Sequence, residues 1–265
     1  MLIALFRAVW RSRGFISSNV RREFAARYQN SLLGATWAVI NPLAMVAVYM
    51  VIFSRLMQAR LPGESGTFNY GIYLCAGILS WGLFAEIIQR STSVFLDHAN
   101  LIKKISFPRI CLPVIVLINA GINYLIILGL FLLLLLLTGN FPGAYLLALV
   151  PVTLILCVFA LSLGIMVGVL NVFFRDAGQF FTMLLQFWFW FTPIVYPLSI
   201  LPEDIQPIVL ANPLTPLIMS QQTIALGRGW PDWSSLLAPA ICAGVIAILA
   251  LALFRRRSDE IVDEL

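Results

Sequence analysis

The chain reads as an all-α integral membrane protein: six transmembrane helices, an N-terminal amphipathic helix lying at the interface, and two short re-entrant or periplasmic surface helices between spans five and six. Three features carry that reading. Of 265 residues, 61% are apolar and 11% charged, where a soluble domain carries about 25% charged residues. The apolar residues gather into runs long enough, as helices, to cross a hydrocarbon core ~30 Å thick. The basic residues fall between those runs so as to give the membrane two unlike sides.

Residues 1–31 form a basic region. Arg7, Arg11, Arg13, Arg21, Arg22 and Arg27 stand against one acid, Glu23. The opening apolar run is too short for a secretory signal. Ser17 or Ser18 can cap a helix on which Val20, Phe24 and Tyr28 share a face. Such a helix suits the headgroup region or a partner protein, and these residues fit both uses.

The first span is placed at 32–53, with a kink at Asn41-Pro42, and a polar loop follows at 55–69. The second span, 71–95, carries Glu86 and Arg90, four apart and able to pair; charges at that depth should face protein or water. The third, 110–137, sets Asn119 and Asn123 on one face. A tight turn leads to the fourth, 144–174, where Gly164 and Gly168 can admit a neighbouring helix. Arg175-Asp176 is a short turn, and 177–191 begins the fifth span.

The segment 192–233 holds prolines at 193, 197, 202, 207, 213, 216 and 231. One short helix is expected to begin at Pro202, with Glu203 and Asp204 in its first turn. Another is expected to be capped by Thr215, to start at Pro216 and to end at Gly227. Both are too short to span and need protein around them at membrane depth. The sixth span, 235–254, ends in Arg255, Arg256 and Arg257, and 255–265 form a tail. Of the seventeen Lys and Arg residues, only Arg55, Arg60 and Arg228 then lie on the outer side. That asymmetry sets both termini in the cytoplasm.

The link between spans two and three holds the chain's two lysines, Lys103 and Lys104. It predicts a small helix on the cytoplasmic surface, restarted into span three by Pro108; a bare topology signal is the alternative. The net charge of +5 belongs to the inner membrane face rather than to nucleic acid. Cys75, Cys111, Cys157 and Cys242 are scattered as small hydrophobes without metal spacing. No lysine follows a glycine, so the phosphate-binding loop of an ATPase is missing. His98 has no acid or cysteine cluster beside it. No catalytic or metal site is expected. Energy for any transport should come from another chain.

The fifth span carries the substrate signal. Gln179, Thr182 and Gln186 form one polar stripe among Phe180, Phe181, Phe187, Trp188, Phe189, Trp190 and Phe191. Rings that stack on sugar C–H faces beside amides that bond hydroxyls suit a glycan. A lipid-facing aromatic belt explains the rings equally well, though not the glutamines.

Several runs together resemble the ABC-2 type permeases that export polysaccharides. They are 22–42, from Arg22-Glu23-Phe24 through Leu33-Gly34-Ala35-Thr36-Trp37 to Asn41-Pro42, and 100–109, Asn100-Leu101-Ile102-Lys103-Lys104-Ile105-Ser106-Phe107-Pro108-Arg109. With them go Leu170-Asn171-Val172-Phe173-Phe174-Arg175-Asp176, Phe191-Thr192-Pro193-Ile194-Val195-Tyr196-Pro197 and Leu210-Ala211-Asn212-Pro213-Leu214-Thr215-Pro216. The resemblance covers nearly the whole chain in order. It implies a homodimer of six-span subunits in a bacterial inner membrane, driven by two copies of an ATPase that bind ATP and Mg. It implies a coupling helix at about 97–108, with Leu101, Ile102, Lys103, Lys104, Phe107 and Pro108 on the ATPase, and a periplasmic segment at 192–233. It implies a lateral entrance by Leu33 and Gly34 for a polyprenyl-diphosphate-linked polysaccharide; Arg21, Arg22, Arg27 and Tyr28 cluster close to that turn, and such arginines would attract the diphosphate. The glycan channel would take Gln179, Phe181, Thr182, Gln186 and Trp188. Competing readings are export of teichoic acid, drugs or lipids, a membrane-embedded glycan enzyme, and an ATP-independent channel.

Overall fold

A computed structural model describes residues 7, 9–28, 36, 40, 42–45, 48, 68–105, 107–258 and 260–264. Apart from a few positions, the first expected span and the loop after it lie outside the described residues. Every regular element within them is helical. In chain order these are α1 (Arg13–Tyr28), α2 (Asn69–Asp97), α3 (Ala99–Lys104), α4 (Cys111–Leu137), α5 (Leu149–Phe173) and α6 (Asp176–Trp190). After them come α7 (Gln206–Ala211), α8 (Leu214–Ala225), α9 (Leu237–Arg257) and α10 (Glu260–Glu264). A 3-10 turn, Gly143–Ala148, runs directly into α5.

Four described helices are long and apolar enough to cross a membrane: α2, α4, α5 with its leading turn, and α9. Their surroundings differ. The apolar window of α2 is 72% buried within the protein, and those of α4 and α9 only 22%. So α2 is enclosed, while α4 and α9 offer leucine, isoleucine and valine to lipid. The helix α5 packs most extensively on α2 and α9. Its glycines are the reason α2 comes so near. A Cβ on Gly164 would stand 2.6 Å from Ser91 Cβ, and one on Gly168 would strike the Ser91 carbonyl oxygen. Both are the pair expected to admit a neighbour.

The helix α6 is 15 residues long and rises about 22 Å, less than a hydrocarbon core. It stops because Thr192 precedes Pro193, and a residue before proline is pushed out of the helical region. The turn that follows is held by protein. Tyr70 donates to the Val195 carbonyl at 2.6 Å, and the Tyr73 hydroxyl lies 2.9 and 2.8 Å from the carbonyls of Pro193 and Tyr196. Gln222 donates to Pro193 at 3.1 Å. On the adjoining face, Ser80 and Tyr124 reach the Gln221 side-chain oxygen at 2.5 and 3.3 Å.

Three boundaries differ from expectation. The helix α1 begins at Arg13, so Ser17 and Ser18 sit exposed inside it rather than capping it. Burial of Ile16 and Val20 in the basic-end core draws the earlier turn into the helix. Residues 202–205 form a turn, with Ile205 and Gln206 donating to the Pro202 carbonyl, and α7 starts only at Gln206. The helix α8 starts at Leu214, whose N–H is taken by Asn212 Oδ1 at 3.1 Å; Thr215 instead donates to the Val209 carbonyl at 2.6 Å. Asparagine one residue before a proline thus supplies the cap that Thr215 was expected to give.

One end of the bundle carries Arg109, Lys103, Lys104, Arg175 and Arg255 to Arg257. The other carries Tyr145, Trp230 and Trp233, with Tyr145 and Trp230 edge to face at 5.7 Å and both tryptophans about half exposed. Aromatic side chains at that level mark a membrane–water boundary. At the aromatic end Asp232 accepts from the Ser234 hydroxyl at 2.7 Å and its N–H at 3.0 Å, which holds its carboxyl below the ordinary range.

Candidate functional site

The expected polar stripe of α6 faces a groove. Gln179, Thr182 and Gln186 are all exposed along it. The opposite wall is α2, through Trp81, Ala85 and Gln89. Two adjoining cavities of about 420 and 460 Å³ share Gln89 and Gln186, so they form one trough. Its upper part is aromatic, with Trp81, Phe189 and Trp190. Its lower part is polar, with Thr92, Ser93, Asn171, Arg175 and Gln179. Rings at one end and amides with a guanidinium at the other can stack on and hydrogen-bond a hydroxyl-rich chain.

Asn171 builds the lower end. Its amide donates to the Thr92 carbonyl at 2.9 Å, and its oxygen accepts the Gly178 N–H at 3.0 Å. One buried side chain therefore fixes the start of α6 to both α5 and α2. Gly178 is required there, since a Cβ would lie 2.5 Å from Asn171 Oδ1. Asn212 holds the other end of α6. It accepts from Trp188 Nε1 at 3.0 Å and donates to Thr192 Oγ1 at 2.9 Å.

Phe181 and Trp188 do not join the stripe. They lie about half a turn round α6 and pack against the central core. Trp188 stands edge-on to Phe84 at 5.5 Å and to Phe159 at 6.4 Å. Within one chain they hold α6 in place rather than line the trough. Gln89 is the wall residue the sequence reading missed. A lone glutamine in an apolar span was the available signal.

Near the lower end of the trough lies a charged network. Arg90 of α2 pairs with Glu23 of α1 and, at 3.6 Å, with Glu86. Asn119 donates to Glu23 and Asn123 to Glu86, each at 2.9 Å. His98 Nε2 lies 4.0 Å from Glu23, and its Nδ1 lies 2.9 Å from the Val94 carbonyl. The carboxylates are thus matched inside the protein, as charge at that depth requires. Glu23 was not expected here, and it ties α1 to α2 and α4.

His98 opens α3, the predicted foot. Ile102 is buried, Lys103 and Lys104 are exposed in the last turn, and Ile105 is half exposed. Phe107 packs on Phe15 of α1 with ring centroids 4.8 Å apart. Leu101 is half-buried and Pro108 exposed. Of the expected entry residues, Arg21 and Arg22 are exposed on α1, with Arg22 donating to Asn19 at 2.8 Å. The side chains of Arg27 and Tyr28, and all of Leu33 and Gly34, lie outside the described residues. Among the described residues no three His, Cys, Asp or Glu side chains converge to hold a metal.

Comparison with known proteins bears on this geometry. Residues 15–225 match the family described as ABC-2 type transporter. The chain is 32% identical over 266 residues to the O-antigen export system permease protein RfbA of Myxococcus xanthus, covering 100% of both. It is 28% identical to an RfbA of Klebsiella pneumoniae, over 89% of this chain and 88% of that protein. It is 24% identical to the polysialic acid transport protein KpsM of Escherichia coli, over 90% and 91%.

Proposed function

Since the chain belongs to the ABC-2 type transporter family, we propose that it is the membrane-spanning subunit of an ABC exporter for O-antigen or a related polysaccharide. In this reading it crosses a bacterial inner membrane six times with both termini in the cytoplasm, and α7 and α8 are re-entrant on the periplasmic side. Two copies form a homodimer, and each engages one copy of a separate ATPase that binds ATP and Mg. The chain itself hydrolyses nothing.

One observation supports it above the others. The helix α6 buries Trp188 and Phe181 on one side and turns Gln179, Thr182 and Gln186 outward beside Gln89. Glutamines are costly against lipid. A second copy closing over the trough resolves that cost and yields a path lined with rings and amides. The substrate is then a glycan on a polyprenyl diphosphate, attracted to α1 by Arg21, Arg22 and Arg27. Force enters at α3, where two exposed lysines and Ile105 meet the ATPase. It passes through His98, Glu23 and Arg90 into α2, which is one wall of the trough.

The test is surface glycan in a strain lacking the gene, complemented with variants. Deletion should remove the polymer from the cell surface. Gln186→Leu together with Gln89→Leu should return less than a tenth of it while the chain still co-purifies with its ATPase. Unchanged surface glycan on deletion would overturn the reading.

A further inference from the structure

On the side of α5 away from the trough, α4, α5 and α9 enclose a crevice of about 430 Å³. Among the described residues it shares none with the trough. Its walls are Ile110, the cap residue before α4, Val114 from α4, Ile165 from α5 and Ala247 and Leu251 from α9, with Val9 beside them. The one hydroxyl among its described lining residues, Ser162, is turned to its own helix and donates to the Val158 carbonyl at 2.6 Å. The described lining therefore offers nothing polar, and the crevice's volume is that of a small-molecule pocket, ~300–1,000 Å³.

Its mouth is basic. Ala247, Leu251 and Arg255 are four apart on α9, so the stripe that lines the crevice ends in an exposed arginine one turn further on. Arg109 directly precedes Ile110 and bridges the walls, donating to Ser258 at 3.1 Å. Val9 lies between exposed Arg7 and Arg11. Beside it Trp10 is 61% exposed and carries the Arg13 guanidinium over its ring at 5.6 Å, the arrangement of a side chain at headgroup level. Among the described acids of α10, Glu260 is engaged by Arg257.

We propose that this crevice is a binding site for an anionic phospholipid, with one acyl chain between α4 and α9 and the phosphate among Arg255, Arg109 and the arginines beside Val9. An apolar slot beneath a positive rim matches both halves of such a lipid, and basic pockets between spanning helices bind anionic headgroups. A lipid there sits at the junction of α4 and α9 and props the outer helices, away from the substrate path.

The test uses the full chain purified in detergent and titrated with phosphatidylglycerol or phosphatidylcholine, with bound lipid per chain read by native mass spectrometry. Phosphatidylglycerol should bind preferentially, at one site per chain above background. Arg255→Gln, at an exposed position, should weaken it about fivefold, the effect of one arginine near an anionic lipid. Ala247→Phe fills the slot and should remove both lipids. Lys103→Gln, outside the crevice, should leave binding unchanged. Equal binding of the two lipids, or wild-type binding by both Arg255→Gln and Ala247→Phe, overturns the proposal. So does displacement of phosphatidylglycerol by an equal mole fraction of polyprenyl diphosphate, which would give the crevice to the substrate carrier.

Discussion

Replacing Arg90 with methionine should unfasten the network that joins α1 to α2. Arg90 and Glu23 are each 28% exposed in their side chains and Glu86 is 19% exposed. Removing one partner of a fully buried ion pair costs about 3–5 kcal/mol because the other charge is stranded. An exposed pair is worth about 0–1 kcal/mol. A quarter-exposed cation facing two carboxylates falls between, so the loss should be about 2 kcal/mol. At roughly 2–4 °C per kcal/mol for a chain of this length, detergent-solubilised Arg90→Met should lose its monodisperse peak about 4–8 °C lower than wild type. Adding Glu23→Gln removes one stranded carboxylate and keeps an oxygen for the Asn119 amide to donate to, so it should return about half of the loss. Export should fall in Arg90→Met even at temperatures where the protein is folded. A melting temperature within 1 °C of wild type, or additive losses in the double variant, would refute the account.

Three further outcomes are expected. Gly168→Val should drive a side chain into the Ser91 carbonyl and separate α2 from α5, at about 1–3 kcal/mol; the melting temperature in detergent checks it, and no shift would deny the close approach. Asn171→Ala should release both the Thr92 carbonyl and the Gly178 N–H, at about 1–3 kcal/mol, and lower surface glycan more than Asn140→Ala, a change at an exposed turn. Asp232 has its carboxyl pKa depressed by the Ser234 hydroxyl and then its N–H, so the turn it ties is fully present above the ordinary value of 3.8 and is lost as pH falls through the lower folded value. Hydrogen exchange at the Ser234 to Leu237 amides should accordingly rise in Asp232→Ala at neutral pH, and the difference from wild type should vanish in strong acid.

Local spacing made part of this site legible. Glu86 and Arg90 pair as four-apart residues on a helix should, and Asn119 and Asn123 do share a face. Gly164 and Gly168 mark a close approach. Gln179, Thr182 and Gln186 mark a polar face. Each is a relation within one helix. Glu23 and Arg90 are 67 positions apart, and nothing in either neighbourhood names the other. Gln89 escaped for the same reason: one glutamine makes no stripe until α6 is laid against it. The rings of α6 were ambiguous on physical grounds, since an aromatic side chain is equally stable against lipid and against core. Only packing on Phe84 and Phe159 sends Trp188 inward. The helix starts at 206 and 214 were missed because Pro202 opened a turn and Asn212, serving four partners, took the capping role.

The placement of three consecutive residues on α2 bears on how a push at α3 could reach the trough. Gln89 faces α6 and lines the trough. Arg90 reaches α1 through Glu23. Ser91 meets Gly164 and Gly168 of α5. Successive helix positions are about 100° apart, so α2 is gripped from three directions within one turn. Its next residue, Thr92, passes its carbonyl to Asn171 and thence to Gly178 at the start of α6. A helix held this way cannot turn at one contact alone: rotating it enough to move Gln89 against Gln186 also drags Arg90 across Glu23. The same residue, Glu23, sits 4.0 Å from the histidine that opens α3. If α3 is the proposed coupling foot, its displacement should reshape the trough through α2 itself, and no chain of flexible intermediates is needed between them.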